Sequence, residues 1–272
     1  SMKPVRQLAN ELGIKDDEMI PMGHNIAKID YQRVLSRVGE SRSAKYVDVT
    51  AITPTPLGEG KTTTTIRLIE GLGAMGKSVS GAIRQPRAGP TFNVKGSAAG
   101  GGLAQCIPLT PFSIRLTGDI DSMTNAHNLM MVALTARMQH ERNYDDAKLA
   151  KIGLKRLDID ASRVQVKWVM DFCAQTLRNI TIGQGSDKDG FEMNSGFAIS
   201  VSSEVMAILA VSKDLKDMRE RMGKIVVAYD KKGKDVTTRD LEVDGAMMAW
   251  MMDAINPNLI QTVEGQPVFV HA

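Results

Sequence analysis

Near the start of the chain, Val5, Leu8, Ala9 and Leu12 recur at helical spacing, and Gly13 follows where such a helix would stop. A different pattern begins at Lys45. The run Lys45–Thr53, KYVDVTAIT, is apolar and β-branched, which predicts a buried strand. The loop TPTPLGEG follows, and Lys61–Met75 then carries Ile66, Leu68, Ile69 and Leu72 at the spacing of a helix. Lys77–Arg84, KSVSGAIR, reads as a second strand. Strand, glycine-rich turn, helix and strand make a βαβ unit, whose crossover predicts parallel strands covered by helices.

Residues 88–102, AGPTFNVKGSAAGGG, are too glycine-rich for a regular element and too long for an idle turn, so they read as a functional loop or close-packed backbone. Ser113–Thr117 reads as a short strand leading into Gly118 and Asp119, and Asn125–Gln139 as a helix. Residues 140–160 are charged and read as a surface connection, and Glu204–Met222 as one long amphipathic helix. Lys224–Asp230 predicts a strand, with Lys231–Lys234 as the turn of a hairpin. Val243–Ile255 predicts a helix with Met247, Met248, Met251 and Met252 at core-like spacing. The chain shows no internal repeat and no low-complexity tail.

Composition narrows the function classes. With 272 residues, 43% hydrophobic and 24% charged, the chain can bury one large core or two smaller lobes. A net charge of +3 and 4% aromatics give neither the basic surface nor the stacking platforms of a nucleic-acid binder. Seventeen methionines suit irregular core gaps. Cys106 and Cys173 are isolated, so neither a zinc site nor a disulfide framework is predicted, and a reducing, cytoplasmic setting fits. No apolar run reaches membrane-spanning length. Ser1-Met2 reads as an expression scar, which leaves residues 3–272 as the folding unit.

The strongest chemical signal is Thr55–Thr62, T-P-L-G-E-G-K-T, against the phosphate-loop pattern G-x-x-x-x-G-K-[ST]. Gly60, Lys61 and Thr62 match, while Thr55 stands at the first glycine. Gly58 and Gly60 free the backbone to turn its N–H groups toward phosphate oxygens. Lys61 supplies a cation for the β- and γ-phosphates, the Thr62 hydroxyl a ligand for Mg²⁺, and the helix its positive end. The expected nucleotide-binding set is Thr55, Pro56, Leu57, Gly58, Glu59, Gly60, Lys61, Thr62 and Thr63. The expected fold is α/β and phosphate-loop NTPase-like, a mostly parallel sheet with helices on both faces. Asp119, after a short apolar stretch, reads either as a Mg²⁺ carboxylate or as a helix N-cap.

Val49–Thr65, VTAITPTPLGEGKTTTT, resembles the phosphate loop of the formate–tetrahydrofolate ligases, a family that also has T-P-T-P before G-E-G-K. More blocks follow in order: Arg84–Phe92, Lys95–Gln105, Leu116–Ile120, Ala126–Leu129, Ile180–Gln184, Phe197–Ala207, Asp253–Thr262 and Pro267–Ala272. The likeness runs from about residue 4 to the end. It implies an ATP-binding N-terminal domain, truncated relative to the full enzyme, with much of the folate surface in a second half. The implied reaction makes formyl phosphate from formate and ATP; the N10 amine of tetrahydrofolate then takes the formyl group, giving 10-formyltetrahydrofolate, ADP and phosphate. A homo-oligomer is implied for the full-length protein.

On the same resemblance, Lys61 clamps the transferring phosphoryl group and Arg84 grips the acyl phosphate, for which a guanidinium fork is suited. His127, in A-H-N-L, matches a histidine of bacterial members that shuttles a proton or orients substrate; a packed histidine is the plain alternative. Gln85, Arg87, Asn93, Ser97 and Asp121 depart from the family pattern, the first four near the expected phosphate pocket. Two other functions stay open from the residues: a phosphate-loop ATPase switch and a non-catalytic nucleotide-binding module.

Overall fold

The computed structural model describes residues 2–39, 44–55, 58–87, 98–186 and 188–272. Two compact units emerge: Ser1–Asp119 with Ala254–Ala272, and Ile120–Asp253.

In the first unit, helix α1 (Val5–Glu11) follows the predicted periodicity and buries Val5, Leu8 and Ala9. The chain reverses through Gly13 at φ 71°. Strands β1 (Met19–Pro21) and β2 (Ala27–Ile29) pair antiparallel, and α2 (Tyr31–Val38) starts at Asp30, whose side chain accepts the Arg33 N–H. Helix α3 (Lys61–Ala74) and strand β3 (Gly81–Arg84) follow. The short β4 (Gly100–Gly101) and β5 (Ala104–Ile107) form a hairpin, and α4 spans Leu109–Ile114. The long α5 (Asp119–Asn143) leaves this unit.

Strands β13 (Asn258–Thr262) and β14 (Pro267–His271) return to build the middle of a seven-stranded sheet in the order β1-β2-β13-β14-β3, with β5 also beside β13. Alternate residues of these strands point to opposite faces. Leu259 packs with Val5, Leu8 and Ala9 of α1, whereas Ile260, Val268 and Val270 pack with Ile66 and Ile69 of α3. Fully burying each such side chain contributes about 1.5–3 kcal/mol.

The mixed α/β class therefore stands, but the expected mostly parallel sheet does not. The β14–β3 pair is parallel; β1–β2, β2–β13, β13–β14, β13–β5 and β4–β5 are antiparallel. The predicted strand Lys45–Thr53 makes no ladder pairs among the described residues, and Tyr46 and Ile52 are 90% and 105% exposed. Strand-like composition measures fit to a neighbouring strand, not the presence of one. Ser113–Thr117 is likewise no strand: Pro108 and Pro111 favour a helix start over a ladder, Ser113 and Ile114 close α4, and residues 115–117 form a turn.

The second unit is organised on α5, followed by α6 (Asp146–Lys151). The antiparallel sheet β12-β11-β6 combines β6 (Ile159–Val164), β11 (Val226–Asp230) and β12 (Asp235–Thr237). Strand β7 (Trp168–Met170) pairs parallel with β10 (Phe197–Ile199), and β8 (Ile180–Ile182) antiparallel with β9 (Met193–Ser195). The predicted connection at 140–160 thus contains a helix and the start of a strand.

The stretch predicted as one helix, Glu204–Met222, is two: α7 (Glu204–Val211) and α8 (Leu215–Met222). Ser212 Oγ donates back to the Ile208 carbonyl, and the Asp214 carboxylate caps α8 by accepting the Asp217 N–H at 2.7 Å. Side chains of this kind compete with the helix ladder and favour a break. Helix α9 (Asp244–Met251) completes the unit. Met123, Met130, Met131, Met206, Met218, Met222, Met247 and Met251 are each at most 1% exposed, so the methionines are largely core. Trp168 lies on strand β7, and Trp250 lies on α9 with 48% of its surface exposed. No helix among the described residues is long and apolar enough to cross a membrane.

Candidate functional site

Two backbone turns shape the loop before α3. Gly58 and Gly60 hold φ at 88° and 76°, the left-handed region where a side chain is strained. Gly60 is the N-cap of α3; its carbonyl accepts the Thr64 N–H at 2.8 Å, and being glycine it offers no capping side chain. The first-turn N–H groups of a helix have no partner within it, and here the first turn carries no acidic residue. The end of α3 is therefore electropositive and receptive to an anion. Lys61 opens the helix with its side chain 46% exposed. Its ammonium donates to the Glu59 carboxylate, which also accepts the Thr55 N–H. Those two bonds hold the Glu59 carboxyl at about 2. Thr62 and Thr63 follow, half-buried. Pro56 and Leu57 lie outside the described residues.

Packing fixes where Arg84 stands relative to this loop. Gly73 of α3 abuts the Gln266 side chain, and Gly81 abuts Ile69 so closely that a methyl group there would overlap it. Gly81 is in register with Val268. Between Gln266 and Val268 the sheet advances while the facing helix position retreats from Gly73 to Ile69, so α3 runs antiparallel to β3 and β14. From Gly81 to Arg84 the strand climbs roughly 10 Å, the rise of about seven helical residues. Arg84, exposed at the C-terminal end of β3, therefore reaches the level of Thr62 and Thr63. Lys61, Thr62 and Arg84 share one end of the helix–sheet layer. Gln85 follows, 4% exposed, its N–H bonded to the His271 carbonyl at 2.6 Å and its amide donating to the Arg115 carbonyl. Asn93 and Ser97, like all of residues 88–97, lie outside the described residues.

Asp119 is 2% exposed and is held by other side chains. Lys28 Nζ lies 2.8 Å from its Oδ1; Asn258 Nδ2 donates to its Oδ2 at 2.8 Å and Thr117 Oγ1 at 3.3 Å. It is the first residue of α5, and its carboxylate is bonded to Lys28 and Asn258. Among the described residues no group of three or more His, Cys, Asp or Glu is arranged to hold a metal ion.

His127 belongs to the second unit and is 4% exposed. Its Nε2 lies 2.7 Å from the Lys167 carbonyl, which can only accept, so Nε2 carries the proton. Nδ1 is then the acceptor for the Ser203 hydroxyl at 2.8 Å, while Ser203 Oγ accepts the Val205 N–H and caps α7. Burial pushes the imidazole below its ordinary range, against the opposing pull of the Lys167 carbonyl. Asn128 beside it exchanges two 3.0 Å bonds with the Val169 backbone, lining the edge of β7 away from β10. A-H-N-L thus docks α5 on β7.

Several partners escaped the sequence reading. Lys28 carries no motif at all. Ser203 and Asn258 lie inside the blocks Phe197–Ala207 and Asp253–Thr262, but nothing local ties them to His127 or Asp119, which are 76 and 139 residues away.

A glycine-turned loop presenting a lysine at a helix end without a capping side chain, beside a mixed sheet, defines a mixed α/β protein. The particular family follows from comparison with known proteins. The family profile described as formate–tetrahydrofolate ligase matches residues 1–272, and the chain belongs to that family. It is 65% identical to the formate–tetrahydrofolate ligase of Desulforapulum autotrophicum, covering 100% of this chain and 46% of the relative. The same enzyme of Dehalococcoides mccartyi strain CBDB1 is also 65% identical, at 100% and 45% coverage, and that of Lawsonia intracellularis 64%, at 100% and 46%. The chain thus spans about half the length of the curated relatives it matches.

Proposed function

We propose that this chain is the nucleotide-handling part of an ATP-dependent ligation of formate to tetrahydrofolate. The observation that carries the reading is Lys61, exposed at the uncapped N-terminus of α3 behind two left-handed glycines. In this reading the backbone from Thr55 through Gly58, Glu59 and Gly60 to Thr63 surrounds the β- and γ-phosphates, with Pro56 and Leu57 in the same loop. Lys61 neutralises charge that grows on the phosphoryl oxygens during transfer.

A formate oxygen attacks the γ-phosphorus and the bond to ADP breaks, giving formyl phosphate. Arg84, at the same end of the layer, binds its phosphate oxygens through a two-pronged fork. The N10 amine of tetrahydrofolate then forms the C–N bond, the C–O bond to phosphate breaks, and the amine loses its proton. The Thr62 hydroxyl, an oxygen ligand at the start of α3, would hold Mg²⁺ arriving with the nucleotide, and the ion would neutralise phosphate charge there. Asp119, already paired with Lys28, supports the sheet and the start of α5 in this reading, and His127 the docking of α5.

Calorimetric titration of MgATP and MgADP into the wild type and Lys61→Ala tests the loop. The variant should keep its fold and lose most of the preference for ATP over ADP. An unchanged ATP-to-ADP ratio would contradict the assignment. The chain alone is expected to bind nucleotide without completing the reaction, because holding two reactants in attack geometry supplies roughly 7–11 kcal/mol of such a barrier and requires both sites. Formate-dependent ADP release with direct detection of 10-formyltetrahydrofolate checks this; robust product from these 272 residues would place the folate site within them.

A further inference from the structure

Glu59 holds a position that the loop's chemistry does not demand. A phosphate-receptive loop gathers positive charge, yet this one places a carboxylate between Gly58 and Gly60. That carboxylate takes the Lys61 ammonium and the Thr55 N–H together. The Glu59 side chain is only 16% exposed, drawn in against the loop, while its lysine partner is 46% exposed. The adjoining 14-residue helix has neither a capping side chain nor an acid in its first turn, so the negative charge at this helix end comes from Glu59.

We propose that Glu59 is a built-in competitor of the ligand's phosphates for Lys61, so that the loop admits polyphosphates and turns away small anions such as inorganic phosphate. The inference rests on the phosphate-loop reading of Thr55–Thr63. Its physics is a contest of charges. A small anion of one or two charges gains little by displacing a tethered carboxylate already in contact, because the carboxylate has paid its ordering entropy within the chain. A triphosphate brings several charges and several acceptor oxygens, and it also engages the helix end, which Glu59 does not cap. With its carboxyl held at about 2, Glu59 stays ionised at any pH at which the protein would be assayed, so mild acid does not relieve the competition.

The test uses inorganic tripolyphosphate, inorganic phosphate and MgATP, titrated calorimetrically into the wild type, Glu59→Gln, Glu59→Asp, Lys61→Ala and the double variant Glu59→Gln/Lys61→Ala. Glu59→Gln should tighten tripolyphosphate and MgATP by about tenfold, the size of one modest charge interaction. It should also make inorganic phosphate binding detectable. Glu59→Asp, which keeps the charge, should show no such gain, and the gain should vanish in the Lys61→Ala background. Unchanged or weaker binding by Glu59→Gln, or a gain that survives loss of Lys61, would overturn the inference while leaving Lys61-dependent nucleotide binding intact. Wild-type binding that ignores Lys61→Ala would instead overturn the phosphate-loop reading, and the competition with it.

Discussion

Lys28 and Asp119 form a closed ion pair, 2.8 Å apart with side chains 4% and 3% exposed. Lys28 also donates to the Asn256 carbonyl, and Asp119 accepts from Asn258. One lysine on β2 is therefore bonded both where the chain enters α5 and where it returns toward β13.

Removing one partner of such a pair leaves a buried charge without compensation, which costs about 3–5 kcal/mol, more than the pair itself contributes. Lys28→Met should therefore lower the urea midpoint strongly, whereas Lys28→Met/Asp119→Leu should recover much of the loss. Equal midpoints for the wild type and Lys28→Met would show that Asp119 is satisfied by Asn258 and Thr117 alone.

The parts of the fold that were legible in the sequence rest on local signals. Helix α1, helix α3, the β11–β12 hairpin and the loop's glycines each follow from spacing or turn chemistry within a dozen residues. What stayed hidden depends on distant partners. Lys45–Thr53 has a strand's composition, but pairing needs a neighbour that the local sequence does not name. The break at Ser212–Asp214 was missed because helical periodicity continues through it, although two side chains there bond the backbone. At the candidate site, Lys61 and Thr62 are readable from the motif and Arg84 from the family blocks. That all three share one end of the layer follows only from the packing of Gly73 and Gly81. Asp119 was legible as a residue of interest, but its lysine was not.

Stability should fall in mild acid through His127. Its pKa is depressed in the folded chain by burial, as is that of His271, whose Nε2 lies 3.1 Å from the Ile255 carbonyl. An unfolded histidine titrates near 6.5 (approximately the free value). Above that pH both states are neutral and the full stability is present. As pH falls through about 6.5 the unfolded chain takes up protons that the folded chain refuses, and stability declines until the depressed folded pKa is reached. The steepest contribution is about 1.4 kcal/mol per pH unit per histidine. Urea midpoints at several pH values between neutrality and mild acid should drop less for His127→Gln, whose amide can still donate to the Lys167 carbonyl. An identical acid dependence in both proteins would assign the effect to other groups.

Arg84 provides the sharpest test of how β3 and the start of α3 cooperate at their shared end of the layer. It stands exposed at the end of β3, in register with His271 and level with Thr62 and Thr63, so its reach is toward whatever the α3 terminus holds. If it grips the acyl phosphate, the planar fork matters and charge alone does not suffice. Arg84→Lys keeps the charge and removes one prong. Loss of one charged hydrogen bond costs about 1.5–3 kcal/mol, or roughly ten- to a hundredfold in affinity. That loss should fall on a non-hydrolysable phosphonate mimic of formyl phosphate, whereas ADP, held by the loop and Lys61, should bind nearly as before. The two affinities can be measured on the same variant by calorimetry. Parallel losses for the mimic and for ADP would make Arg84 a nucleotide-positioning residue, and no loss for either would return it to the surface.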